Sequence, residues 1–106
     1  MLKIKEGEKA MKPEDKLPGD LVEFMGTECT ICEQMEPLVQ RLMAEEGVEI
    51  HELEIWHNQE NANLFMEIDQ GNCGGVPFFY NRKTGKWVCG KTSYEKFKKW
   101  ALEEKE

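Results

Sequence analysis

The residues of this chain best suited to covalent chemistry are its four cysteines, and two of them, Cys29 and Cys32, form a Cys-x-x-Cys. At that spacing two sulfurs can close a small disulfide ring or hold two corners of a metal tetrahedron. Cys29 falls where an apolar run gives way to a helical pattern. A cysteine at a helix start meets free backbone N–H groups and the positive end of the helix dipole, and both favour thiolate, the nucleophilic form. Cys32 lies one turn deeper and is expected to be the more shielded sulfur, so the spacing assigns attack to Cys29 and resolution to Cys32. Zinc ribbons use the same spacing but normally carry a second pair; here only the widely separated Cys73 and Cys89 could complete a four-cysteine zinc site. Otherwise Cys73 reads as a small loop or core residue or as a regulatory thiol, and Cys89, on a strand, as core. His51 and His57 have no metal-like spacing with the cysteines and read as surface or strand-end residues.

The elements that must position these sulfurs can be read from periodicity. Leu21–Met25 has apolar residues on both sides of Glu23, as expected for a central strand covered on both faces. That puts one carboxylate in a core, where burial raises its pKa toward the range useful for general acid and base work. Met35, Leu38, Val39, Leu42 and Met43 then form one face of a helix over about residues 29–46, stopped by Gly47 and interrupted by Pro37. Val48, Ile50, Leu53 and Ile55 alternate with one break at His51 and Glu52, which predicts a strand with a bulge. Asn58 is placed to cap a second helix, with Phe65 and Ile68 facing inward. A hairpin is expected from residues 76–80 and 86–89, then a terminal helix with Thr92 and Glu95 in capping-box spacing and Tyr94, Phe97, Trp100 and Ala101 buried. Right-handed crossovers make the first two strands parallel neighbours in a mixed sheet with helices on both faces.

Length and charge narrow the class further. A chain of 106 residues has room for one core, and 40% hydrophobic residues suffice to build it. Lys and Arg total 14 against 21 Asp and Glu, a net charge of −7 that disfavours phosphate backbones and anionic lipid. No apolar run approaches the length of a membrane helix, and residues 1–19, a charged and loosely packed arm, do not resemble a signal peptide. The expected location is the cytoplasm, or an organelle interior if a targeting peptide has been removed.

Over about residues 20–104 the sequence resembles the thioredoxin-like superfamily. The buried acid of that family matches Glu23, its helix proline matches Pro37, and its cis-proline, which presents backbone to substrate, matches Pro77 in Gly75-Val76-Pro77. The resemblance implies a three-layer α/β/α domain around a mixed four-stranded sheet, with a fifth strand if the N-terminal arm supplies one. It implies thiol–disulfide exchange at Cys29 and Cys32, Glu23 as the base for Cys32, and substrate contacts at Thr30, Ile31, Val76 and Pro77.

Departures from the family bear on substrate and potential. Thioredoxins usually carry Trp-Cys-Gly-Pro-Cys-Lys, whereas this chain reads Glu28-Cys29-Thr30-Ile31-Cys32-Glu33, with Met25 where an aromatic is expected. The lysine that neighbours the family's buried acid falls at about Glu52. Glu28 and the stretch Val88-Cys89-Gly90-Lys91-Thr92 lack the glutathione-binding features of glutaredoxins, which disfavours glutathione dependence. The expected activity is reduction or exchange of protein disulfides by a monomer with no bound organic cofactor, with electrons from a reductase or a thiol pool. The alternatives are a redox-sensing adaptor and the zinc site.

Overall fold

The computed structural model describes residues 12–103. Most of the N-terminal arm, with the fifth strand it could have supplied, lies outside them. A 3-10 turn, Pro13–Lys16, leads to the buried Leu17. Strand β1 is Leu21–Met25, β2 Ile50–Glu54, β3 Phe78–Asn81 and β4 Trp87–Cys89; helix α1 is Thr30–Glu46, α2 Gln59–Asp69 and α3 Tyr94–Leu102. The sheet order is β2-β1-β3-β4, with β1 and β2 parallel and the other pairs antiparallel.

β1 is central because it can be buried on both faces. Leu21 joins Met35, Val39 and Leu42 of α1, Phe79 of β3 and Phe97 and Trp100 of α3 in one core. Val22 and Phe24 point the other way and pack with Leu64 and Phe65 of α2, Phe78 and Tyr80. Alternation therefore sends Glu23 to the α1 side, under the helix that carries Cys32. Phe79, fully buried, meets Phe97 edge-on with centroids 4.9 Å apart and lies 5.7 Å from Trp100.

Local chemistry sets the helix ends. Gly47 closes α1 in the left-handed conformation at φ 67°, where an L side chain is disfavoured. Asn58 caps α2 by accepting from the Asn61 N–H at 3.0 Å. The cap of α3 is Ser93 rather than Thr92; its hydroxyl accepts from Lys96 N at 3.3 Å. The expected bulge in β2 is absent: five consecutive residues pair in unbroken register with β1, from Leu21 opposite Ile50 to Met25 opposite Glu54. The break in alternation reflects exposure of Glu52 at the sheet edge, not an extra residue.

Phe79→Ala removes the ring shared by both helices of the larger core and is expected to destabilise the fold by about 3–5 kcal/mol, read as a lower midpoint in urea at unchanged slope.

Candidate functional site

Three separate segments build the site. The first is the β1–α1 junction. Cys29 is the N-cap of α1, and its sulfur accepts from the Cys32 N–H at 3.0 Å, inside the cap geometry that favours negative charge. Cys29 and Cys32 are joined by a disulfide with Cα atoms 5.2 Å apart. The expected contrast in exposure is absent in this oxidised form: Cys29 is 6% and Cys32 5% exposed, because the bond draws the first sulfur in beside the second. Thr30 and Ile31, between them, are exposed.

The second segment faces the first across the sulfurs. The Val76–Pro77 peptide is cis, and the Val76 carbonyl oxygen lies 3.8 Å from Cys29 Sγ. Asp69, buried at the end of α2, accepts from the backbone N–H of Cys73 at 2.7 Å and of Gly74 at 2.8 Å, anchoring the loop that leads to Val76. Gly90 N donates to the Pro77 carbonyl at 2.9 Å from the β4 side. Cys73 and Cys89 also close on each other: they form a second disulfide, with Cα atoms 5.5 Å apart. Cys73 is thus paired, half-buried and packed against the smaller core, while Cys89 is exposed, not core. Sequence separation hid the pairing; strands β3 and β4 bring the two together. In this oxidised form all four sulfurs are paired in two disulfides.

The third segment is the β2–α2 loop, whose residues belong to no motif of the sequence. The Trp56 indole lies across Gly26, where a Cβ would come within 2.6–2.7 Å of ring atoms Cε3 and Cε2, yet the residue is 49% exposed. It supplies an aromatic surface next to the cysteine loop, although Met25 replaces the aromatic expected from the motif. His57 Nδ1 donates to Glu54 Oε2 at 3.0 Å and lies 3.2 Å from Thr27 Oγ1, which in turn donates to Glu28 Oε1 at 3.0 Å. The bond to Glu54, then the charges of Glu28 and Glu54, raise the His57 pKa above its ordinary value.

Beneath the sulfurs sits Glu23, 1% exposed, with Oε1 unpartnered among the described residues. Burial first, then the charges of Glu52 and Glu36, push its pKa up to about 8. Glu52 is its register partner on β2, so an acid occupies the place of the family's lysine. Between Leu17 and Asn81 the only Lys or Arg is Arg41.

Among solved structures, a glutaredoxin from Archaeoglobus fulgidus is similar in fold: TM-score 0.58, covering 92% of this chain and 95% of that one, at 17% identity. No protein-family model matches the chain, and neither does any curated protein. The fold is thioredoxin-like, as the resemblance implied, and among the described residues no helix is long and apolar enough to cross a membrane.

Glu23 makes stability depend on pH. In the window from 4.5 to about 8 the folded chain holds a proton on Glu23 that the unfolded chain has lost. Unfolding then releases a proton, so this contribution falls as pH rises through the window and levels off above it. Relative to Glu23→Gln, the wild type is expected to lose about 2–4 kcal/mol between pH 5 and 9, at about 1.4 kcal/mol per pKa unit. Urea melts of both proteins across that range check it; a constant difference would place an ordinary carboxyl at Glu23.

Proposed function

We propose that this protein is a thiol–disulfide oxidoreductase that reduces or exchanges protein disulfides through Cys29 and Cys32. The observation that carries the reading is the Cys29 sulfur, held at the start of α1 by the Cys32 N–H and facing the Val76 carbonyl beside a cis-proline. The Cys29 thiolate attacks one sulfur of a substrate disulfide; a mixed disulfide forms, and the other substrate sulfur leaves with the electron pair. Glu23 gives up its own proton first; Cys32 then passes its proton to the carboxylate so formed and attacks Cys29 Sγ. The Cys29–Cys32 bond closes, and the substrate departs as a dithiol carrying two more electrons. A dithiol donor, either a reductase or a thiol pool, returns those electrons to the protein. Thr30, Ile31, Val76 and Pro77 contact the substrate chain. The protein works as a monomer in electron transport, with no bound organic cofactor and with neither nucleic acid nor membrane as partner, in the cytoplasm or an organelle interior.

The near-complete cover of both sulfurs supports a second reading, a redox-sensing adaptor whose disulfide state controls partner binding rather than turnover. Catalytic reduction of a generic protein disulfide separates the two, since an adaptor reacts once.

Cys32→Ser is expected to accumulate a mixed disulfide with substrate at Cys29, and Cys29→Ser to form none. Glu23→Gln should slow the resolving step by about 100-fold, the lower end of what a positioned base contributes. Alkylation of the reduced protein near neutral pH should label Cys29 first. Trapping in Cys29→Ser, or first labelling at Cys32, would reverse the roles.

A further inference from the structure

A buried acid that trades protons with Cys32 must also trade them with water. In the resembling family a lysine stands beside that acid, but an ammonium has donors and no acceptor, so it cannot take a proton onward. Here the neighbours are acids. Glu23 of β1, Glu52 opposite it on β2 and Glu36 of α1 bring carboxyl oxygens within 4.8 Å of one another. Like charges directly opposite across paired strands are destabilising, unless a proton is shared between them. Glu23 Oε1, buried and unpartnered, belongs to a residue lining a cavity of about 110 Å³ together with Cys32, Glu33 and Glu36. Glu36 and Glu52 reach the surface.

We propose that Glu52 and Glu36 form a carboxyl relay that passes the proton between Glu23 and solvent as the Cys29–Cys32 disulfide forms and breaks. The inference rests on the oxidoreductase reading and adds the route of the proton. When Cys32 attacks the mixed disulfide, its proton goes to the Glu23 carboxylate while the Cys29–Cys32 bond forms and the bond from Cys29 to the substrate sulfur breaks, that sulfur keeping the electron pair. To be that carboxylate, Glu23 first hands its own proton to the Glu52–Glu36 pair, which releases it to water; the proton from Cys32 then restores the neutral acid. When an incoming dithiol reduces the disulfide, the proton runs inward to the departing Cys32 sulfur. The groups facing Glu23 fit this role. Glu52 approaches from β2, Glu36, Glu33 and Cys32 from α1, and β3 places the apolar Phe79 opposite it. Burial, then the charge of Glu36 and a hydrogen bond with it, also raise the Glu52 pKa, as expected of carboxyls that hold a proton between them.

Two readouts on the full chain test the relay. The infrared difference spectrum between oxidised and dithiothreitol-reduced protein should contain a protonated-carboxyl band that Glu52→Gln and Glu36→Gln each alter. In single-turnover exchange, Glu52→Gln should slow the resolving step about tenfold and make it depend on the concentration of added formate. Glu52→Asp should restore the rate and its independence of formate. Glu36→Gln gives the same test should Glu52→Gln fail to fold. An unchanged carboxyl band, or a pH profile that shifts with the limiting rate intact and indifferent to formate, would overturn the relay and leave only an electrostatic effect. A wild type that exchanges no protein disulfide would instead remove the oxidoreductase reading, while the infrared comparison, which needs only dithiothreitol, still decides the relay.

Discussion

A carboxyl group sealed into the central strand constrains everything around it. Glu23 has apolar neighbours on its own strand, Phe79 beside it on β3 and α1 above it, so its charged form finds little solvation and its proton is held to about pH 8. A leucine in its place would be the safer choice for a core. Keeping an acid there requires a sheet order that puts β1 in the middle, and a helix start that brings Cys32 over the acid's cavity. Both follow from the alternation in β1: Leu21 and Glu23 face α1, while Val22 and Phe24 face α2.

The opposite wall of the site is held with similar economy. The loop that ends in Val76–Pro77 packs Cys73 and Val76 against the smaller core and buries Pro77, and directed interactions tie it further. Asp69 caps two of its N–H groups, the Cys73–Cys89 disulfide joins it to β4, and Gly90 donates to the Pro77 carbonyl. The Val76 carbonyl can therefore be presented to Cys29 at a defined distance by a segment with no regular structure. The second disulfide is thus part of how the first one is positioned, even though its cysteines are remote from the Cys-x-x-Cys in sequence.

What could be read from the sequence follows a physical pattern. The strands and helices with strong periodicity, Leu21–Met25 and the helix closed by Gly47, were legible because burial of one face dictates residue type there. Cys29 and Cys32 were legible through their spacing along the chain, Glu23 through the apolar run around it, and Pro77 through the family resemblance. The Cys73–Cys89 bond was not, because it depends on which strands pair, and hairpin register is set in three dimensions. The carboxyl cluster was hidden for the same reason: Glu23, Glu36 and Glu52 lie on three elements, and only the parallel register makes the first and last neighbours. Trp56 was missed because its role comes from packing over a glycine rather than from any motif. The unbroken β2 ladder shows the converse, since a lapse in alternation at an exposed edge looks like a bulge when only residue types are seen.

The surroundings of the dithiol set its redox tone. The helix start favours thiolate at Cys29 by only about 0.3–1 kcal/mol, and nearby acids oppose it. Glu28, Glu33 and Glu36 lie on or beside the first turns of α1, and no Lys or Arg occurs from Leu17 to Gln40. A thiolate without strong stabilisation makes the disulfide a poor oxidant. The most direct measurement is the reduction potential of Cys29–Cys32, obtained by equilibration with glutathione and read by alkylation. The expected value lies nearer the about −270 mV of thioredoxin than the about −120 mV of a strong oxidant. A potential more positive than about −180 mV would contradict the account, because the acids around Cys29 would then not govern its couple.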